Sequence, residues 1–174
     1  RQADDALYQV LVKGASIEES THRIETDAFA PPDMAVSGAL YLLTSGEKSW
    51  EIPRDNQNPF ALLEAAEEMQ NAYDLDYVVI DTNPTVNGFD AAFAMATDGY
   101  VYVTQAERMS IEGMIAGMRQ ISRVAASRAK RLNRASSILA IVPNGVRQQT
   151  VLHQAMLENI AEQFGDRATS PINL

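Results

Sequence analysis

The chain has 174 residues, 46% of them apolar and 21% charged, and a net charge of −9. That length suffices for one domain whose core buries roughly 70% of its unfolded surface, and the composition excludes intrinsic disorder. The absence of cysteine excludes a disulfide framework and thiolate metal ligation, and His22 and His153 alone give no basis for a zinc site.

No apolar run approaches the ~18 residues that cross a bilayer, so no membrane is expected as a partner and a cytoplasmic protein fits the sequence. The chain opens on Arg1 rather than Met, as expected of a piece of a longer protein. Net charge alone argues against nucleic acid, but its distribution does not. Arg119, Arg123, Arg128, Lys130, Arg131 and Arg134 carry six positive charges with no acid between them, which leaves −15 for the remainder. The pattern is a basic patch on an acidic body.

In chain order, Ala6, Leu7, Val10 and Leu11 have helical spacing that stops at Lys13-Gly14. Ser16 with Glu19 three residues on has the form of a capping box before a short helix. Residues 26–37, with Pro31-Pro32, read as an irregular connection, and Ala39 to Leu43 as a short strand. Glu47 to Asn58 is polar and turn-rich and reads as a surface loop. Asn58-Pro59 is a helix start, followed by an apolar face of Phe60, Leu63, Ala66, Met69 and Tyr73.

The sequence is organised around Tyr77-Val78-Val79-Ile80-Asp81. Four apolar residues run into a carboxylate and then into Thr82-Asn83-Pro84, which cannot continue a strand. This predicts a buried parallel strand with Asp81 at its carboxyl end, where open α/β sheets hold ligands. An Asp that caps the following turn is the alternative. A small-residue helix is expected over about 89–96, a strand over 100–104, and a long helix over about 111–132 capped by Ser110. Ile138 to Val142 reads as a strand closed by Pro143-Asn144-Gly145, and a last helix over about 148–164 stops at Gly165. Strands alternating with helices imply an α/β fold with a parallel twisted sheet flanked by helices, here as a single domain over 1–174.

The motif order resembles the ParA family of partition ATPases, within the deviant-Walker P-loop NTPase group that includes MinD. The residues carrying the likeness are the strand-Asp81-Thr82-x-Pro84 unit, Gln105-Ala106-Glu107, Ser110-Ile111-Glu112-Gly113, Leu40-Tyr41-Leu42-Leu43-Thr44, and Pro143-Asn144 with the helix after it. The resemblance implies ATP and Mg²⁺ as cofactors. Asp81 would hold the water shell of Mg²⁺, Thr82 would line the phosphates and Asn144 would read the adenine edge. Turn-stabilising roles are the plainer alternatives for Thr82 and Asn144. The resemblance further implies a homodimer, non-specific DNA and a ParB-like centromere-binding or cargo adaptor protein as partners, and a nucleoid-associated location.

One departure outweighs the others: the family's Gly-rich KGGxGK[ST] loop and the first strand are absent from these residues. Gly46-Glu47-Lys48-Ser49 lacks the contiguous Gly-Lys and the upstream glycine. This piece alone is therefore expected not to hydrolyse ATP. A catalytically inactive DNA- or partner-binding module, and a MinD-like positioning ATPase on a membrane, are the alternatives. Arg119, Arg123, Lys130, Arg131 and Arg134 recur at spacings of three, four and seven, which places several on related faces of the long helix and its exit, and together with Arg128 they suit phosphate contact without base reading. A solvated helix face with cations near its carboxyl end is the bland alternative.

Overall fold

The computed structural model describes residues 5–31, 33–82, 90–147 and 149–173. They form two compact units, divided after Ala96.

The first unit is mainly helical. Helix α1 (Ala6–Lys13) places Ala6, Tyr8 and Leu11 inside and ends at Gly14, whose φ of 68° closes the helix in the left-handed region. Helix α2 (Ile17–Ser20) buries Ile17, although Ser16 makes no side-chain cap bond, so the expected capping box is not formed. A hairpin of β1 (His22–Ile24) and β2 (Leu40–Leu42) pairs antiparallel, and Tyr41 stacks on Tyr73 at 4.3 Å.

The expected loop at 47–58 is instead largely helical: a 3₁₀ turn over Glu47–Glu51 runs into α3 (Ile52–Asp55), and Ile52 is fully buried. Pro53 supports that start, since its fixed φ suits the first helical turn. The Tyr8 hydroxyl donates to Asp55 at 2.9 Å, and Arg54 donates to the same carboxylate at 2.7 Å. These bonds hold the Asp55 carboxyl below its ordinary pKa.

Helix α4 (Ala61–Tyr73) begins two residues later than the expected Pro59, with Phe60 at its N-cap. Asn58 accepts the Phe60 N–H at 3.0 Å through its side chain. Its inner face of Leu62, Leu63, Ala65 and Met69 is buried, as are Ala92, Ala94, Met95 and Ala96 of α5 (Asp90–Ala96).

The second unit holds a three-stranded parallel sheet ordered β3 (Gly99–Gln105), β4 (Ser137–Val146), β5 (Ile172–Asn173). Helix α6 (Arg108–Leu132) crosses from β3 to β4, and α7 (Val151–Phe164) leads from β4 towards β5. Ser110 lies inside α6 rather than capping it, because the helix begins at the extended Glu107. Ile111 and Met118 of α6, Ile141 of β4 and Ile160 of α7 form the core, with Tyr102, Met114, Ile115 and Phe164 packed against it. Strand β4 runs through Pro143-Asn144-Gly145 instead of ending there; the pairing with β5 slips at Gly145, whose φ is 68°. Val101 and Val103, on the opposite face of β3, are 56% and 62% exposed.

The segment that organises the sequence corrects the expectation. Residues 77–80 belong to no helix or strand among the described residues, with Tyr77 85% and Val79 90% exposed. An apolar run becomes a sheet strand only when at least one neighbouring strand takes up its backbone groups, and no described strand does so here.

A polypeptide of these 174 residues, with Tyr77, Val79, Val101 and Val103 in water, is expected to self-associate. Light scattering should report species above the monomer, and a monomer with one cooperative melt would count against it. Burial pushes the Tyr102 phenol up to about 12 from 10, so its contribution is intact below pH 10 and is lost as pH rises from 10 towards 12. Thermal melts should therefore show Tyr102→Phe losing less stability than the parent between pH 8 and 11.

Candidate functional site

The parallel pairing of β3 and β4 sets Gln105 beside Asn144 at the carboxyl edge of the sheet, with Asn144 next to Ile172 on the other side. Asn144 is exposed, and its Oδ1 accepts the Gly145 N–H at 2.9 Å. That bond uses the Oδ1 acceptor in the bulge and does not occupy the Nδ2 donors of this exposed residue. The turn role and a ligand-reading role are thus compatible in one side chain. Thr104, one residue before Gln105, is buried.

Asp81 and Thr82 are exposed, adjacent in the chain, and lie in the first unit, whereas Asn144 lies in the second. Asn83, Pro84 and the beginning of the small-residue helix fall outside the described residues. Among the described residues no three His, Asp or Glu side chains gather as a metal-holding group. The donor set at Asp81 and Thr82 fits Mg²⁺ nevertheless, because that ion keeps several waters and takes one or two carboxylates together with substrate phosphates. Gly46-Glu47-Lys48-Ser49 forms no phosphate cradle. The Lys48 N–H donates to Asp5 at 2.8 Å and the Ser49 N–H to the Gly46 carbonyl at 3.1 Å.

The basic residues do not act as one set. At about 100° per residue, Arg119, Arg123 and Lys130 fall within about 40° of each other on α6, on the side opposite Arg128. All three are exposed, as is Arg131 on a neighbouring side. Arg119 and Arg123 rim an open groove of about 730 Å³ between α6 and α7, floored by Ile115, Met118 and Phe164.

Arg128 corrects the expectation of a DNA contact: it is 0% exposed. Its Nη2 donates to Asp98 Oδ1 at 2.5 Å and its Nη1 to the Arg134 carbonyl at 3.0 Å. Arg134, which is exposed, reaches the same Asp98 carboxylate at 3.3 Å. A buried guanidinium needs such a partner; losing it costs roughly 2–3 kcal/mol, the low end because Asp98 is itself 65% exposed. Counting cations could not separate Arg128 from its neighbours. The one available signal was its phase on the helix, shared with Ile121 and Met114.

A family model described as an AAA domain matches residues 1–134. The chain belongs to that family of ParA/MinD-like P-loop proteins. Two solved structures share its fold, each at 17% identity and a TM-score of 0.64. One is a plasmid partition protein from Borrelia burgdorferi, aligned over 95% of this chain and 62% of its own. The other is described as a plasmid partition protein from Borrelia burgdorferi B31 bound to AMPPNP, aligned over 96% and 60%. The chain thus spans about three fifths of the length of these two structures. No curated protein matches it in sequence.

For this family member, the α/β arrangement expected from the strand and helix alternation is present. No helix among the described residues is long and apolar enough to cross a membrane.

Proposed function

We propose that the chain works within a ParA-like partition ATPase that binds ATP and Mg²⁺, dimerises with nucleotide bound, and holds DNA without reading its sequence, with a ParB-like centromere-binding or cargo adaptor protein as partner. The observation that carries this reading is the exposed cation face of α6, with Arg119, Arg123, Lys130 and Arg131 and no acid between them, in a chain of the AAA-domain family. Solvated helix faces usually mix signs, whereas a face of one sign suits a phosphate backbone. AMPPNP on one structural neighbour supports an adenine nucleotide as the ligand class.

In this reading Asp81 orients the water shell of the ion, Thr82 lines the phosphate side, and Asn144 turns its Nδ2 donors to the adenine edge. The ion, when bound, neutralises charge on the β- and γ-phosphates. These residues include no Gly-rich loop with its lysine, so turnover is expected of the intact protein rather than of this stretch alone. Dimerisation doubles the number of cation faces that one DNA segment meets, so the nucleotide state would set DNA affinity.

Two measurements test this. In the intact protein, calorimetry should show ATP-Mg²⁺ binding, and Asp81→Ala should cut turnover by on the order of 100-fold or more. An intact protein that neither binds nor hydrolyses ATP would leave an inactive binding module. For DNA, the combined change Arg119→Gln, Arg123→Gln and Lys130→Gln should weaken duplex binding across all sequences and flatten the plot of log affinity against log salt by up to about 3. An unchanged slope would remove α6 as the DNA surface.

A further inference from the structure

Asp98 sits just before β3, at the amino edge of the sheet, and α6 returns to that edge after 25 residues. Several bonds converge there. The Asp98 carboxylate takes Arg128 and Arg134, Arg128 also donates to the Arg134 carbonyl, the Ser136 hydroxyl donates to the Thr97 carbonyl at 2.9 Å, and the Ser137 N–H donates to the Asp98 carbonyl at 3.0 Å. Asn133 between them turns the chain with a φ of 52°. Lys130 and Arg131 lie on the stretch of helix that this knot encloses.

We propose that Asp98 is a positioning residue for DNA contact: by gripping Arg128 and Arg134 it holds the last turns of α6 against the sheet, so that Lys130 and Arg131 stand in a fixed array. This rests on the DNA reading of α6 given above. A helix end frays within its last turn unless something ties it down, and freely moving cations must be ordered at each phosphate contact. The planar guanidinium of Arg128 reaches the carboxylate and a carbonyl through two separate nitrogens held in a fixed fork, a spread that the single nitrogen of an ammonium does not have.

Anchoring and simple charge predict opposite signs. Asp98 is an acid within a basic patch, so as a mere charge its removal would strengthen DNA binding and steepen the salt dependence. As an anchor, its removal weakens both.

The test uses the intact protein, a fluorescent duplex and anisotropy across a salt series. Asp98→Asn should lower affinity about 3- to 10-fold and flatten the salt slope, while adding Asp98→Asn to Lys130→Gln/Arg131→Gln should cause no further loss, since the anchored cations are already gone. General destabilisation would weaken binding in that background too, so a further loss there overturns the proposal, as does unchanged or tighter binding by Asp98→Asn. If Asp98→Asn does not fold by circular dichroism, Arg128→Lys serves. It keeps the net charge but gives up the fork, and should lower affinity in the same way; affinity equal to the parent would overturn the proposal. Should Lys130→Gln/Arg131→Gln itself bind DNA like the parent, the DNA reading of this end of α6 fails, and the anchor with it. A loss in that pair without a loss in the Asp98 and Arg128 variants sinks the anchor alone.

Discussion

Parallel pairing of β3 with β4 is the constraint from which the second unit follows. Two parallel neighbours cannot be joined by a tight turn, so the chain must travel back along the whole length of the sheet, and α6 is that return path. Its amino end therefore begins near the carboxyl edge, where Gln105 and Asn144 sit, and its carboxyl end arrives at the opposite edge beside Asp98. Ile111 and Met118 fasten the first half of the helix to Ile141 and Ile160. The two chemistries expected of the chain, an amide at one edge of the sheet and cations at the other, are separated because the topology leaves no alternative.

Electrostatics then sorts the cations. Six basic residues between 119 and 134 would repel one another if all were exposed, and the structure takes one out: Arg128 turns inward and pairs with Asp98. Burial of a single guanidinium is tolerable because its bonds are directional and because its acid keeps contact with water. What remains outside is a row of single sign over residues 119–131 of α6, in a chain whose other residues are strongly acidic. Such a molecule approaches an anion with one particular side foremost.

Much of the second unit was legible in the sequence. Alternation of short β-branched runs with long amphipathic stretches announced β3, α6, β4 and α7, and the boundaries moved by only a few residues. Two features were not legible for physical reasons. Ile52 looked like a residue in a polar loop because a four-residue helix has too short a period to register, although the Pro53 beside it was a signal. Residues 77–80 looked like a buried parallel strand because their composition is that of one, but composition reports a preference for burial and cannot supply the neighbours that a strand requires. At the candidate site, the types Asp81, Thr82 and Asn144 could be read, and the phase of Arg128 hinted at its inward turn, whereas its partner, an acid thirty residues away, could not be read.

Helix α6 carries one more detail with mechanical weight. The Ser122 hydroxyl donates back to the Met118 carbonyl at 2.7 Å, a bond that competes with the helix ladder and makes it bend more readily at that point. Core packing secures the helix before Ser122 and the grip of Asp98 secures it after. A rod held at one end swings, and a small tilt there moves its tip by several ångströms. A rod clamped at both ends with a soft middle can only bow. Motion in α6 is thus directed to its midpoint, between Arg119 and Arg123, and away from its ends.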